Sequence, residues 1–314
     1  MVDRAALLTS HQMASFVAKG YLRFDGLVPD DINRQFIEDA GELADERGPR
    51  EAYAKLMATS RIPAVPAGTT LEHAYAQGSA IARLLELPQV AGTIESLVGP
   101  GCLFDHHFLH VTFPDTYFAE APQGHVSQHT HQDSTIDPRD AFDVQIMYFP
   151  HTVTREMGGT RFVPGTHLRK VSEAAIARYQ NIRGQMHVIC PAGTVLFMHH
   201  GIWHGGGLNR SSGVRYMFKI RLNPMVRQRR LWNTDDLTEA DFAQRPIFFR
   251  KAPEDTDHIH AILTRPEPWF ENDTGRLEYI NRIKLWRFLL GDDSFDADYW
   301  LTRVENAPDE DRGG

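Results

Sequence analysis

His129-Thr130-His131-Gln132-Asp133-Ser134 places a histidine and an aspartate two residues apart. On an extended backbone, side chains two apart share a face, so His131 and Asp133 project side by side. An imidazole beside a carboxylate supplies two members of the two-histidine, one-carboxylate set that holds non-haem Fe(II) and leaves coordination positions open. His129 lies on the same face and is a rival ligand, but a His129/His131 pair would lack the carboxylate.

Working outward, the flanking segments read as strands. Leu103 to Phe113 is rich in aromatic and aliphatic residues and carries His106, His107 and His110. A loop, Pro114 to Gln128, leads into the His-x-Asp stretch. Asp143 to Phe149 is a strand pattern. Gly158 to His167 reads as turn, short strand and turn, and Ser172 to Gln180 as a short helix. Met186 to Cys190, Thr194 to His199 and Val214 to Leu222 read as further strands. Short strands separated by Gly/Pro turns predict a mainly β fold, a jelly roll or cupin-like double sheet beginning near residue 103.

The N-terminal part is helical. Thr9-Ser10 is an N-cap signal, Met13, Phe16 and Val17 recur at helical spacing, and Gly20 is a stop. Tyr21 to Phe24 is a short strand. Pro29-Asp30-Asp31 opens a second helix that runs to about Glu46, and Gly48-Pro49-Arg50 breaks it. Residues 51 to 77 read as an irregular covering loop. Ser79 to Val98 is helical with an interruption at Pro88.

The chain is expected to divide into residues 1–224 and a C-terminal extension, 225–314. The extension is rich in tryptophan and proline, has its best helical pattern at Leu277 to Leu290, and is expected to pack on the core or a partner subunit. The last ~7 residues, acidic and ending in Gly-Gly, are expected to be disordered.

Composition narrows the function. The 314 residues are 42% hydrophobic and 24% charged, with a formal net charge of -8. A net acidic chain argues against a general nucleic-acid binder. Met1 to Gly20 lacks the apolar centre of a targeting peptide, and no apolar run is long enough to span a bilayer. The two cysteines, Cys102 and Cys190, make no disulfide framework. A cytoplasmic protein is the expectation. Sixteen histidines permit a metal site and also multiply chance spacings.

The third ligand should be a histidine on a later strand. The candidates are His199, His200 and His204, in Phe197-Met198-His199-His200-Gly201-Ile202-Trp203-His204-Gly205-Gly206-Gly207-Leu208-Asn209. The glycine-rich run and Asn209 favour His204. If this segment and the next strand form a hairpin, the simplest register pairs Gly206 with Arg215 across a loop from Asn209 to Ser212. Arg215 is then offset from His204 by about 7 Å, at ~3.3 Å per residue. That offset suits a short dicarboxylate with one end on the metal and the other in the Arg215 fork, with Gly206 leaving room.

His131-Gln132-Asp133, Gly158-Gly159-Thr160-Arg161-Phe162-Val163-Pro164-Gly165-Thr166-His167, Trp203-His204-Gly205 with Gly207 and Asn209, and then Arg215 follow one another in an order that resembles the phytanoyl-CoA dioxygenase family of Fe(II)/2-oxoglutarate oxygenases. The resemblance covers roughly Leu7 to Pro224. It implies a double-stranded β-helix flanked by helices, with His131, Asp133 and His204 as iron ligands and Arg215 binding the distal carboxylate of 2-oxoglutarate. The cosubstrates it implies are 2-oxoglutarate and O2. Asp133 stands where related halogenases lack a carboxylate, which favours oxygenation. Gly206 departs from a serine common in the family. Nothing in the chain points to a coenzyme A thioester.

The expected activity is hydroxylation of a small molecule, with release of succinate and CO2. Desaturation, cyclisation or epimerisation at the same iron is the alternative within enzymes. A metal-holding or ligand-binding jelly roll without turnover is the alternative outside them. No nucleic-acid or membrane partner is expected, and the extension leaves room for a homo-oligomer. His110 and Gly206 are weaker cosubstrate contacts. Gln145, Tyr148, Met217 and Lys219 are substrate-pocket candidates, although Gln145 and Tyr148 fall on opposite strand faces. Lys219 and Arg221 share a face with Arg215. The plain reading sends these cations to solvent, and the sharper one makes them a basic lining for an anionic substrate. His106, His107 and His167 read as ordinary strand and turn residues, and Gly158-Gly159 as turn chemistry.

Overall fold

In the computed structural model, residues 2–43, 48–118, 127–134, 136–137, 141–177, 181–242, 258–270 and 274–295 are described. Helix α1 (Ser10–Lys19) starts at Thr9. The Thr9 hydroxyl accepts from the Gln12 amide, and the Gln12 side chain accepts from the Thr9 amide. This reciprocal cap satisfies two of the donors a helix start leaves open. Gly20 ends the helix at φ +79°, and strand β1 (Tyr21–Phe24) follows directly.

Helix α2 (Asp30–Ala40) carries Asp30 and Asp31 in its first turn and stops at Ala40, short of the expected Glu46. The expected break at residues 48–50 is instead the start of α3 (Gly48–Thr59). Proline lacks an amide that a first helical turn would leave unbonded anyway, so Pro49 begins this helix rather than ending one. Ala52 and Leu56, four apart, form its buried stripe. Helices α4 (Ala80–Glu86) and α5 (Pro88–Leu97) divide at Pro88, as the sequence predicts.

From residue 103 the chain is mainly strand: β2 (Leu103–Thr112), β3 (Val144–Phe149), β4 (Thr160–Val163), β5 (Met186–His187), β6 (Thr194–His199), β7 (Trp203–Gly206) and β8 (Arg215–Asn223). The short helix α6 (Glu173–Ile176) interrupts them. A five-stranded antiparallel sheet has the order β1-β6-β3-β8-β2, and a three-stranded one the order β5-β4-β7. Two antiparallel sheets with flanking helices make the mainly β, jelly-roll architecture expected from the strand pattern.

Strand parity divides the large sheet's side chains between two cores. From β3 and β8, Val144, Ile146, Tyr148, Phe218, Ile220 and Leu222 join the helices. Met147, Phe149 and Met217 face the other way and meet Phe162 of the small sheet. Both faces are covered, so β3 and β6 are buried along their whole length.

The C-terminal extension contains α7 (Glu239–Phe242), α8 (Ile259–Thr264) and α9 (Thr274–Leu290). Many of its apolar residues are built into the helix-side core. Ile259, Leu263 and Trp286 share a cluster with Phe16 and Val17 of α1. The Trp232 indole donates to Ser10 Oγ at 3.0 Å, and its ring lies 5.5 Å from that of Trp286. The residues expected to be disordered, 308–314, lie outside the described residues.

Candidate metal centre

His131 and His204 are brought together by a single antiparallel bridge. The His131 amide donates to the His204 carbonyl at 2.9 Å, and the His204 amide returns a bond of 3.0 Å. A further bond from the Gln128 amide to the Gly206 carbonyl lays this segment along β7. Asp133 Oδ1 lies 3.4 Å from His131 Nε2, and Asp133 Oδ2 lies 3.4 Å from His204 Nε2. One ligand atom from each of the three residues falls within 4.8 Å of the other two.

Both rings are held so that Nε2 faces this point. His131 Nδ1 is 2.9 Å from the His129 carbonyl, and His204 Nδ1 is 3.0 Å from the Ile202 carbonyl. A proton on Nδ1 leaves the Nε2 lone pair for a metal. His129, the rival ligand, has an exposed side chain and contributes its backbone oxygen instead. Burial lowers the His204 pKa to about 4, which keeps the imidazole in its neutral, ligating form. At Asp133, burial opposes ionisation. The adjacent His131, His204, Lys219 and His200 outweigh it and hold the carboxyl well below the usual carboxylate range. Asp133 Oδ2 is buried without a hydrogen-bond partner among the described residues. An ionised, buried oxygen left in that state fits a bound cation.

Gln132, between the two ligands, is a residue that sequence reading passed over. Its amide donates to the carbonyls of Arg169 and Gly201, both at 2.8 Å, and so ties the ligand segment to the chain beyond β4 and β6. His200 was weighed as a rival third ligand. It is buried, with Nε2 3.5 Å from Asp133 Oδ2, beside the carboxylate rather than within the triad. His199, the other rival, points into the helix-side core against Phe16 and Phe142.

A cavity of about 200 Å³ runs between the sheets from His131 and His204 to Arg215. The hairpin register expected from sequence is not formed. β7 pairs with β4, setting Gly206 opposite Thr160, whereas β8 pairs with β2, setting Arg215 opposite Thr112. The two strands belong to different sheets, β7 to the three-stranded one and β8 to the five-stranded one. Gly206 and Arg215 nevertheless face each other through the cavity. A Cβ built on Gly206 would lie 3.9 Å from Arg215 Nη2.

Arg215 is buried. Its guanidinium donates to the Met157 carbonyl (3.0 Å), the Gly158 carbonyl and Thr112 Oγ1 (2.8 Å). No carboxylate among the described residues pairs with it, and burial lowers its pKa to about 10. A buried cation with only neutral acceptors is poised for an anion. Gly158 does more here than turn the chain. At φ +61°, with Leu208 O 1.7 Å from where a Cβ would sit, it lets its own carbonyl reach Arg215.

The remaining candidates separate by face. His110, Met217 and Lys219 line the cavity with Gly206. Burial, with Lys219 nearby, lowers the His110 pKa to about 4. Tyr148 is not a pocket residue, which corrects the sequence reading. Its hydroxyl donates to Asn33 of α2 at 2.5 Å, because strand parity turns it to the helix side. Gln145 faces inward but is fully buried outside the cavity lining. Lys219 and Arg221 do not stand out in solvent as the plain reading had it: their side chains are 10% and 22% exposed, because β8 lies between β3 and β2 within the larger sheet. Arg221 pairs with Asp143 and with Asp105 at 3.1 Å. His107 bonds the Tyr75 hydroxyl at 2.8 Å, and His167 donates to the Val17 carbonyl, both away from the site.

The family model described as Phytanoyl-CoA dioxygenase matches residues 16–217. No curated protein sequence matches the chain. Among solved structures, EvdMO1 aligns at 17% identity with a TM-score of 0.47, over 68% of this chain and 50% of that one, so the chain spans half that protein's length. HygX from Streptomyces hygroscopicus, solved with iron bound, aligns at 14% identity with a TM-score of 0.48, covering 69% of this chain and 87% of that one. The non-heme alpha ketoglutarate dependent epimerase SnoN from nogalamycin biosynthesis aligns at 16% identity with a TM-score of 0.47, covering 71% and 84%.

Proposed function

The chain belongs to the phytanoyl-CoA dioxygenase family, and on that premise we propose that it is an Fe(II)- and 2-oxoglutarate-dependent oxygenase that hydroxylates a small molecule. One observation carries the proposal. One cavity runs from the two histidines of a two-histidine, one-carboxylate cluster to a buried arginine that has no carboxylate partner among the described residues. That pairing matches a keto acid chelated through one end and salt-bridged through the other.

His131, Asp133 and His204 would hold the iron. Bound there, Fe(II) supplies the coupling between O2-dependent decarboxylation of 2-oxoglutarate, giving succinate and CO2, and oxidation of a substrate C–H bond. The chain's own residues position and enclose. Arg215 receives the distal carboxylate, and its three neutral acceptors fix the fork before the ligand arrives. Gly206 keeps the opposite wall clear. The apolar packing of Met147, Met217 and Phe162 between the sheets excludes water from one side of the site. No helix among the described residues is long and apolar enough to cross a membrane. A cytoplasmic location agrees with two free, buried cysteines.

The deciding experiment is succinate formation from 2-oxoglutarate after anaerobic reconstitution with Fe(II) and exposure to O2. Iron-dependent succinate that disappears in His131→Ala is the expected result. Folded, iron-loaded wild type that forms no succinate with any substrate of a broad panel would leave a non-catalytic metal-binding jelly roll as the better reading.

A further inference from the structure

We propose that the primary substrate is an anion, and that Lys219 is the residue that seats its charged group beside the metal. The inference rests on the oxygenase reading above and adds a substrate class to it.

Lys219 stands on β8 four residues beyond Arg215, on the same face, and both line the cavity. Four residues of strand span about 13 Å, at ~3.3 Å per residue. His204 is only two residues along β7 from Gly206, the residue that faces Arg215. A dicarboxylate reaching from Arg215 to the metal therefore stops before Lys219. The Lys219 ammonium lies 3.6 Å from Asp133 Oδ2.

Lys219 lies beside exposed surface. Phe108, the β2 partner of Lys219, is 54% exposed, and its ring lies 5.5 Å from the ammonium. The Arg215 end is closed by Met157, Gly158 and Thr112. A substrate arriving after the cosubstrate meets Phe108 and Lys219 first.

Lys219 faces one carboxylate, that of Asp133, and one aromatic ring, that of Phe108. Its side chain is only 10% exposed, yet the ammonium makes no hydrogen bond among the described residues. Its one nearby carboxylate among the described residues is Asp133, which a bound metal would engage. The next cation along that face of β8, Arg221, is by contrast already matched by Asp105 and Asp143. Three unused N–H donors at a nearly buried position, beside an exposed aromatic ring, fit a carboxylate or similar anion on an apolar body.

The test uses enzyme loaded with Ni(II) and 2-oxoglutarate. The probes are benzoate, phenylacetate and hexanoate, each compared with its primary amide by ligand-observed NMR titration. Wild type should bind the acids about tenfold or more tightly than the amides, the scale of one charge-assisted hydrogen bond. The preference should vanish in Lys219→Met and Lys219→Gln and persist in Lys219→Arg. No acid preference in wild type, or one that survives in both uncharged variants, overturns the proposal. So does a fall in 2-oxoglutarate affinity in Lys219→Met as large as the fall for acids, which would assign Lys219 to the cosubstrate. Failure of metal-loaded wild type to bind 2-oxoglutarate would instead sink the oxygenase reading. The acid–amide comparison on metal-only enzyme would then still decide the role of Lys219.

Discussion

His131 and His204 are partners across an antiparallel bridge, with their amides bonded to each other's carbonyls and their ring centroids 4.3 Å apart. Two ligands far apart in sequence are thereby fixed by backbone geometry, and Asp133 reaches both rings from the residue after next. Removing any one of the three side chains should lower divalent-metal affinity by more than about a hundredfold, beyond the loss typical of outer partners. Metal content after dialysis and competitive titration in His131→Ala, Asp133→Asn and His204→Ala would show this. Full metal retention in Asp133→Asn would mean that the carboxylate is not a ligand.

Gln132 offers a test of orientation without touching a ligand. Leucine at this position leaves the Arg169 and Gly201 carbonyls without their donor. We expect a stability loss of about 1–3 kcal/mol in urea unfolding. We also expect metal affinity about tenfold or more weaker, because the segment carrying His131 and Asp133 loses its tether. Lower stability with unchanged metal affinity would show that the strand bridge alone holds the ligands.

Arg215 and Gly158 should fail in different ways. Arg215→Lys keeps a charge but loses the fork, and 2-oxoglutarate affinity should fall by about 1.5–3 kcal/mol, roughly 10- to 150-fold, with metal binding intact. Gly158→Ala adds a Cβ at φ +61° into the Leu208 carbonyl. It should destabilise the fold by more than ~1 kcal/mol and weaken the cosubstrate with it. Calorimetric titration with 2-oxoglutarate beside thermal unfolding separates the two. A Gly158→Ala protein of wild-type stability and affinity would show that the loop has room to move.

The helix-side core should make the protein acid-labile. Burial lowers the His199 pKa to about 3 and, helped by Arg282 and His199, holds His167 well below its usual value. Below the unfolded value near 6.5, the unfolded chain takes up protons that the folded chain refuses. Stability should therefore fall as pH drops from about 6.5 towards 3 and stay level above 6.5 as far as these groups decide it. The slope is at most about 1.4 kcal/mol per pH unit for each histidine. His199→Phe, which keeps the stack on Phe16 and Phe142, should show a shallower acid limb in urea midpoints measured between pH 4.5 and 7.5. An unchanged limb would place the acid sensitivity elsewhere.

The sequence by itself determined the parts that rest on local spacing. Thr9, Gln12 and Gly20 mark the limits of α1, because capping is settled within four residues. Alternation along Arg215 to Leu222 assigned each side chain to a face, because strand parity is a backbone property. His131-Gln132-Asp133 and the glycine-rich run at His204 were legible for the same reason, and they narrowed the reading to one family. Pro49 was misread because a proline is compatible with both an end and a beginning, and the neighbouring helix decides which. The tertiary structure alone decided which strands pair and what lies across the sandwich. Arg215 meets Gly206 through space rather than along a hairpin, Tyr148 turns to α2, and Lys219 is held inside the barrel beside the ligands. Those relations depend on which sheet each strand enters, a choice made by packing both faces at once and not by any short stretch of chain.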